Sequence, residues 1–324
     1  MNLEETERQM HIRAAWLYYM EGRTQADIAG MMGTTRLKIN RILSEARTNG
    51  LVNITINSPL VSAVALEREL IRDFNLTDAV IIPTPTDGEQ TQNLLGKASA
   101  QFVSQYLAQN DVKRFGIGWG GTLSEMVNQL PVGNYSGLTV LSMMGGLTHG
   151  AEFNTFNIVS DIAKRLGARC EYLAAPIYAS SEESRNIILQ QDVFRHAFEE
   201  IEKADLTVVS LGDATEKSLL ISRGLPSDAS MEELREAGAI SDVCGHFLDA
   251  NGREIDHQLN RRAIAVSLNA LRKIPMRVFA AGGSHKIAAL AAALRSNLVS
   301  VLVSDEDTAR SAAAIARQHY KKAL

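Results

Sequence analysis

The sequence predicts an α/β protein with two parts, a winged helix-turn-helix unit and a larger, doubly wound, mostly parallel α/β domain. Residues 12–56 have the order helix, helix, glycine turn, longer helix and strand, which is typical of a groove-reading DNA-binding module. From residue 79 onward, short β-branched runs alternate with helical patterns, as in a parallel sheet covered by helices. A length of 324 residues also favours one small and one large domain, which we place at residues 1–57 and 58–324.

The first two helices are predicted from their apolar spacing and from one capping residue. Thr24 follows Gly22 and precedes Asp27 by three residues, so a second helix should begin there. Gly33 then supplies a tight turn. The side chains that we expect to face inward are Ile12, Ala15, Trp16 and Tyr19 in the first helix and Ile28, Met31 and Met32 in the second.

A third helix should begin after Thr35 and bury Ile39, Ile42, Leu43 and Ala46. Its opposite face carries Leu37, Arg41, Ser44 and Thr48, flanked by Lys38 and Asn40. This face offers hydrogen-bond donors for phosphates and base edges, and residues 34–49 have a net charge of +3. A lone helix of this kind is usually an ordinary solvated surface, but the capped helix, turn and strand around it favour DNA binding.

The third helix should end at Gly50 and lead into a half-buried strand, because Val52, Ile54 and Ile56 alternate with polar residues. Ser58–Pro59 then marks the junction between the domains. A helix over Leu60–Phe74 follows, with one apolar side formed by Ala63, Leu66, Leu70 and Phe74.

Composition narrows the classes of protein to which the chain can belong. The residues are 45% hydrophobic and 22% charged, and the net charge of −4 is +1 over residues 1–57 and −5 beyond them. An acidic body argues against non-specific wrapping of nucleic acid. Cys170 and Cys244 are too few for a disulfide scaffold or a structural zinc site. With neither a signal peptide nor an apolar run of about 20 residues, we expect a cytoplasmic protein without membrane contact.

In the larger domain, strands and helices should alternate along the chain. The predicted strands are Ala79–Ile82, Arg114–Gly118, Leu138–Met143, Arg169–Ala174, Leu206–Leu211, Met276–Ala281 and Leu298–Val303. The predicted helices include Gln90–Ala108, Asn154–Leu166, Asp192–Lys203, Arg261–Lys273 and Lys286–Arg295.

Glycine clusters follow three of the predicted strands, where ligands bind in open α/β sheets. They are Gly116–Thr122, Gly145–His149 and Gly282–Lys286. The first and third lead into helices, so backbone N–H groups and the helix dipole should converge on an anion or a hydroxyl-rich ligand. Tight turns require glycine in any case, but two such junctions, one with Thr122 and one with Lys286, favour a binding cleft.

Other polar residues are weaker candidates for chemistry. Asp213 and Asp242 could each accept hydrogen bonds from sugar hydroxyls, although a solvated or capping aspartate is nearly as common. The four histidines at 149, 246, 257 and 285 lack metal-ligand spacing, so we expect no metal and no cofactor. The sequence contains no GxSxG motif, Walker loop or complete dinucleotide fingerprint.

The chain resembles the SorC/DeoR sugar-binding family of bacterial transcriptional regulators over almost its full length. The motifs that carry this resemblance are GIGWGGTL (116–123), VCGHFLDANG (243–252), AGGSHKIAALAAALR (281–295) and VSDEDTA (303–309). The resemblance implies the fold of ribose-5-phosphate isomerase and glucosamine-6-phosphate deaminase without catalysis, and assembly as a homotetramer. An operator with inverted half-sites by itself requires at least a homodimer. RAAWLYYMEGRTQ (13–25) is similar to the subset that responds to polyols such as erythritol.

The predicted function is therefore operator binding controlled by a sugar, sugar phosphate or polyol, and the protein should not be an enzyme. The alternative is a sugar-phosphate isomerase or deaminase with an accessory DNA-binding domain, using Asp213, or Asp242 with His246, as a base. Candidate DNA-binding residues, from the module and the resemblance together, are Thr24, Gln25, Thr34, Thr35, Arg36, Leu37, Lys38, Asn40 and Arg41. Leu37 stands where relatives often have proline, so base preference cannot be transferred. Candidate effector-binding residues are Gly118, Gly120, Gly121, Thr122, Thr148, His149, Asp213, Asp242, Gly282, Gly283 and Lys286.

Overall fold

The computed structural model describes residues 3–52, 61–147, 154–215 and 218–320. The chain divides into two compact units, Met1–Val61 and Ser62–Leu324. Each unit has its own hydrophobic core.

Within residues 3–52, the first unit contains three helices, α1 (Leu3–Tyr19), α2 (Gln25–Met31) and α3 (Arg36–Thr48). The predicted caps are confirmed. The backbone N–H of Asp27 donates to Oγ1 of Thr24 at 3.2 Å, and Asp27 accepts the N–H of Thr24 in return. Oγ1 of Thr35 accepts the backbone N–H of Lys38 at 3.2 Å. Gly33, with a φ of +59°, makes the turn between α2 and α3.

The core of the first unit confirms the predicted stripe of α3 and corrects that of α1. Ile39, Ile42, Leu43 and Ala46 are all buried. In α1, Ala15 is buried and Tyr19 packs against the core as predicted, together with Ala14 and Leu17, but Ile12 is 46% exposed and Trp16 57% exposed. Met31 in α2 is also exposed. The prediction was wrong for Ile12 and Trp16 because α1 is apolar on two faces, and spacing alone does not say which one packs.

Most of the predicted wing strand and the whole Ser58–Pro59 junction lie outside the described residues. Val52, at the start of the wing, packs against the core of the first unit. The helix predicted to follow is α4 (Val61–Phe74). Its predicted apolar side is confirmed, since Ala63, Leu66, Leu70 and Phe74 are buried in the core of the second unit.

The second unit is built on one parallel sheet. In chain order, the strands are β1 (Asp78–Ile82), β2 (Arg114–Ile117), β3 (Thr139–Ser142), β4 (Arg169–Glu171), β5 (Leu206–Ser210), β6 (Gly212–Asp213), β7 (Ser241–Val243), β8 (His246–Leu248), β9 (Met276–Ala280) and β10 (Val301–Asp305). The main sheet has the order β1-β10-β9-β5-β2-β3-β4, and its neighbouring strands run parallel. The seven predicted strands form this sheet. A second, antiparallel sheet of β6-β7-β8 was not predicted, because strands of two or three residues are too short to show a period.

Helices connect the strands. They are α5 (Thr91–Gln109), α6 (Gly121–Gln129), α7 (Thr155–Leu166), α8 (Glu182–Leu189), α9 (Asp192–Glu202), α10 (Leu219–Arg223), α11 (Met231–Glu236), α12 (Gln258–Arg262), α13 (Leu268–Lys273), α14 (Ile287–Arg295) and α15 (Glu306–Tyr320). The single helix predicted over Arg261–Lys273 is wrong. The helical conformation ends at Arg262. Ala263 and Ala265 then form isolated β-bridges to Tyr178 and Met144, and Ser267 caps a new helix.

The strand order reverses between β2 and β5. From β2 the chain proceeds outward to β3 and β4, and it then returns to β5 on the other side of β2. The loops that follow β2 and β5 therefore diverge at the carboxyl ends of these strands. This reversal is where open, doubly wound sheets form a ligand crevice.

Candidate functional site

The outer face of α3 carries the predicted DNA-contacting side chains at the surface. Leu37 is 79% exposed and the side chain of Arg41 is 80% exposed. Nε of Arg41 donates to Oε1 of Glu45 at 2.8 Å, and Nε2 of His11 lies 3.2 Å from Oε2 of Glu45. The hydrogen bond and charge of Glu45 raise the pKa of Arg41, so the guanidinium remains cationic.

The start of α2 adjoins this face. Nε2 of Gln25 donates to Oδ1 of Asn40 across 3.5 Å, which brings together two predicted DNA-binding residues from different helices. Thr24, Gln25 and Arg36 line one shallow pocket together with Arg23. Of the other candidates, Thr35 and Lys38 are exposed and Thr34 is half-buried. The structure therefore presents the candidates of α2 and α3 on or beside a single polar and basic surface.

In the second unit, a cavity of about 580 Å³ opens at the reversal of strand order. The loops after β1, β2, β5 and β9 contribute to its wall, together with residues of the β7–β8 hairpin. Predicted effector-binding residues that line it are Gly118, Gly120, Gly121, Thr122, Asp242, Gly282, Gly283 and Lys286. Segments more than 160 residues apart in sequence thus meet in one cleft.

The turn after β2 brings backbone close to the cavity. Gly120 has a φ of +121°, and a Cβ at this position would lie 2.9 Å from Oγ of Ser210. Helix α6 begins at the next residue and has no side-chain cap. The first-turn N–H groups of a helix have no partner within it and lie at the positive end of its dipole. Residues 121–123 therefore offer donors beside the hydroxyl of Thr122, which lines the same cleft.

Lys286 forms an ion pair that the sequence did not reveal. Its Nζ lies 2.6 Å from Oδ2 of Asp213, which is only 4% exposed. Oδ1 of Asp213 accepts the backbone N–H of Thr215 at 3.1 Å and also its hydroxyl. Burial opposes ionisation of Asp213, but the charge and hydrogen bond of Lys286 outweigh it and lower the pKa of the carboxyl. The carboxylate of Asp213 therefore balances the charge of Lys286.

Asp242 is a buried carboxyl at the wall of the cleft. Its Oδ2 accepts the backbone N–H of Gly245 at 3.2 Å, and the hydroxyl of Tyr178 donates to the carbonyl of Gly245 at 2.7 Å. Burial raises the pKa of Asp242 to about 6, despite the opposing effects of Gly245 and Lys286. Near neutral pH the group can therefore accept or donate a hydrogen bond after a small change in its surroundings.

The turn after β9 is held by a carboxylate of the neighbouring strand. The backbone N–H of Gly283 donates to Oδ2 of Asp305 at 2.7 Å, and a Cβ on Gly282 would collide with the same carboxylate. Gly283 has a φ of +92°. The two glycines thereby place Lys286, at the end of a short 3₁₀ turn (Ser284–Lys286), at the cleft.

Some predicted residues are not brought to the cleft or cannot be placed. The predicted glycine cluster Gly145–His149 does not contribute to the cavity wall in its described part, residues 145–147, and Thr148 and His149 lie outside the described residues. Met144, two residues after β3, does line the cavity. His246 is buried, with Nδ1 2.9 Å from Oε1 of Glu254, and does not belong to the cavity wall. Within the described parts of the chain, no cluster of three or more His, Cys, Asp or Glu side chains could hold a metal ion.

The cleft also includes residues that the sequence analysis missed. Glu89 and Gln92 come from the loop after β1 and the start of α5, and Ser210 ends β5. The loop TPTDGEQTQ (84–92) follows a predicted strand, so the rule that placed the glycine clusters also applied to it. It was overlooked because it contains one glycine rather than a cluster.

Comparison with known proteins defines the class to which this chain belongs. The family described as "Putative sugar-binding domain" matches residues 58–312. The chain belongs to this SorC/DeoR-type family, whose named relatives are transcriptional regulators. Among the described helices, none is both long and apolar enough to cross a membrane.

Individual relatives extend over almost the whole chain. It is 28% identical over 309 residues to the erythritol catabolism regulatory protein EryD of Brucella abortus (strain 2308), covering 95% of this chain and 98% of that protein. It is 30% identical to the transcriptional regulator LsrR of Enterobacter sp. (strain 638), covering 96% of this chain and 94% of that protein.

Solved structures show the same fold. A DeoR family transcriptional regulator from Listeria monocytogenes matches with a TM-score of 0.71 and 28% identity, covering 77% of this chain and 98% of that one. The full-length sorbitol operon regulator SorC from Klebsiella pneumoniae matches with a TM-score of 0.73 and 24% identity, covering 94% of this chain and 98% of that one. The larger domain therefore has the predicted α/β architecture.

Proposed function

We propose that this protein is a one-component regulator in which a small hydroxyl-rich effector binds the cleft of the second unit and controls operator binding by α3. The observation that carries the proposal is the convergence of the glycine turns after β2 and β9 with Thr122, Asp242 and the Lys286–Asp213 pair at the reversal of strand order. Hydrogen-bond donors and acceptors around one cavity suit a molecule with several hydroxyls. The effector must favour one arrangement of the protein over another, because binding that is equal in both would change nothing.

The charge of the cleft favours a neutral effector. Among the described residues that line the cavity, Lys286 is the only lysine or arginine. Its charge is already neutralised by Asp213. Glu89 and Asp242 are acidic members of the same wall. A phosphate usually recruits more than one cation. A polyol or unphosphorylated sugar fits this balance better, in agreement with the erythritol-related name of one relative.

On the DNA side, we propose that Thr24, Gln25, Thr34, Thr35, Arg36, Leu37, Lys38, Asn40 and Arg41 contact the operator. Support comes from their position on or beside one surface and from the exposure of Leu37 and Arg41. We further propose that the chain forms a homodimer or homotetramer, since inverted half-sites require at least two copies. The domain boundary falls near residue 58 in this proposal, and the protein acts in the cytoplasm.

The test combines effector binding with turnover. The full-length protein is titrated in a calorimeter with tetritols, pentitols, hexitols and their phosphates. The comparison is Lys286→Ala combined with Asp213→Asn, which removes the pair without leaving a buried charge. We expect a neutral polyol or sugar to bind the parent protein and to bind the double variant at least about tenfold more weakly, a loss of about 1.4 kcal/mol. Tight binding of a sugar phosphate alone would overturn the neutral assignment.

We infer that the cleft is not catalytic. Asp213 is engaged by Lys286, and Asp242 is tied to the N–H of Gly245, which supports binding roles for both. The raised pKa of Asp242 is the one property that would suit a general base. Conversion of pentose or hexosamine phosphates by the purified protein, lost in Asp242→Asn, would contradict this inference.

A further inference from the structure

Helix α1 has a second apolar face that points away from the core of the first unit. Ile12 is 46% exposed, Trp16 57% and Met20, just after the helix, 66%. These positions follow one another at intervals of four residues, so they form a single ridge. Met31, at the end of α2, is 55% exposed and borders the same groove as Ile12 and Trp16. Large apolar side chains gathered in this way mark an interaction surface.

Charged and polar residues flank this ridge in a pattern that can complement itself. Arg13 lines the groove near its amino-terminal end, and Glu21 lines it just beyond the carboxyl-terminal end of the helix. Oε2 of Glu21 also lies 3.7 Å from Nε of Arg23, but this pair is exposed, so Glu21 can exchange it for another partner. Gln9 adds a polar side chain at the first end. In an antiparallel pair of such helices, each Arg13 would lie near Glu21 of the other, and the two helix dipoles would be opposed favourably.

We propose that the ridge Ile12–Trp16–Met20 packs against the same ridge of a second copy of this chain, with α1 antiparallel to α1 across a two-fold axis near Trp16. This register places Ile12 of one copy opposite Met20 of the other. The contact is isologous, as a two-fold interface must be. It joins two first units directly and so fixes the spacing of their α3 helices on DNA.

A second copy suits the surface better than an unrelated partner does. Its apolar centre lies between residues of opposite charge, so one patch supplies both halves of a complementary interface. An acidic or a basic partner would match only one end. The proposal rests on the proposed DNA-binding function for its purpose, but the contact can be tested without DNA.

Cysteine cross-linking tests the register directly. In a Cys170→Ser background, we compare Ile12→Cys, Met20→Cys and the double variant under mild oxidation, without DNA or effector. In the proposed register, position 12 of one copy and position 20 of the other come within disulfide range. The two copies of position 12, and likewise the two copies of position 20, lie about 12 Å apart along the helices. We expect cross-linked dimers from the double variant and little from either single variant. Equal cross-linking of the single variants, or none in a double variant with an unchanged melting temperature, would overturn the proposal.

A charge swap provides an independent test on full-length protein. Arg13→Glu or Glu21→Arg alone places like charges together twice in each dimer, so operator affinity should fall about three- to tenfold. The combined swap restores both pairs and should recover most of that loss. If the combined swap binds no better than the weaker single variant, Arg13 and Glu21 do not meet. A direct contact of Arg13 with a DNA phosphate would give this result.

Discussion

The two units of this protein hold their charged groups in opposite ways. In the first unit, Arg41 stands on an exposed helix face, where it pairs with Glu45. In the second, Lys286 at the wall of the cleft is paired with the buried Asp213, which is not itself part of the wall, and Asp242 is buried in the same wall. Exposed charges contribute little to stability and are free to meet a new partner. Removing one member of a buried pair leaves the other charge without compensation, so a substitution in the cleft affects folding as well as ligand binding.

This contrast predicts that the same kind of substitution has different consequences in the two units. Changes on α3 should alter DNA binding and leave folding intact. Changes in the cleft should alter folding first, and a clean test of effector binding requires paired substitutions. The following variants test this difference.

The largest effect is expected for Asp213→Ala. Removing this carboxylate leaves the Lys286 ammonium without its partner in a largely buried position and should lower the free energy of unfolding by about 3 kcal/mol. Denaturant unfolding of the second unit measures it. The control is Asp192→Ala, whose ion pair with Arg195 is exposed and should contribute almost nothing. If both variants unfold alike, the Lys286–Asp213 pair is not the buried interaction described above.

A smaller effect, dependent on pH, is expected for Asp242. Burial raises its pKa to about 6, above the value of about 3.9 in an unfolded chain, so the folded protein binds more protons between these pH values. This group's contribution to stability is therefore fully present below about pH 4 and is lost as pH rises through 6. Asp242→Asn should be more stable than the parent at pH 7, by about 2–3 kcal/mol, and the difference should vanish near pH 4.

Unfolding at pH 4, 5, 6 and 7 measures this difference, and Asp111→Asn, at an exposed carboxylate, is the matched control. Asparagine can still accept the N–H of Gly245. A constant difference between parent and Asp242→Asn across the range would show that Asp242 does not titrate as described.

Arg41→Ala should reduce operator affinity by about 1–3 kcal/mol without changing the melting temperature. The side chain projects from the face opposite Ile39 and Ile42, so its loss leaves the core intact. Arg47→Ala, on the same helix but outside the proposed contact set, is the control in a gel-shift titration. Equal losses in both variants would indicate a general electrostatic effect rather than a specific contact.

Leu37→Ser should have the smallest effect. An exposed leucine on the reading face can contact a thymine methyl, so its replacement should relax preference at one base pair by about 1 kcal/mol. The salt dependence of binding should be unchanged because no phosphate contact is lost. Leu37→Met, which retains an apolar side chain, should keep the preference. A changed salt slope with intact base preference would exclude this role.

The sequence predicted what depends on local order and missed what depends on distant contacts. The caps at Thr24 and Thr35, the stripe of α3 and the seven parallel strands each follow from periods or residue types within a short window. The Lys286–Asp213 pair joins residues 73 positions apart, and no local pattern indicates it. The misassigned face of α1 has a related cause, because its two apolar faces are distinguished only by what packs against them.

The central claim is that occupancy of the cleft in the second unit changes operator binding by the first. Its most direct test is fluorescence anisotropy of labelled operator DNA with the full-length protein, with and without a polyol that calorimetry has shown to bind. The comparison is the Lys286→Ala and Asp213→Asn double variant. We predict that the polyol changes operator affinity of the parent by at least about fivefold and leaves that of the double variant unchanged. An unchanged affinity in the parent, or an equal response in both proteins, would contradict the account.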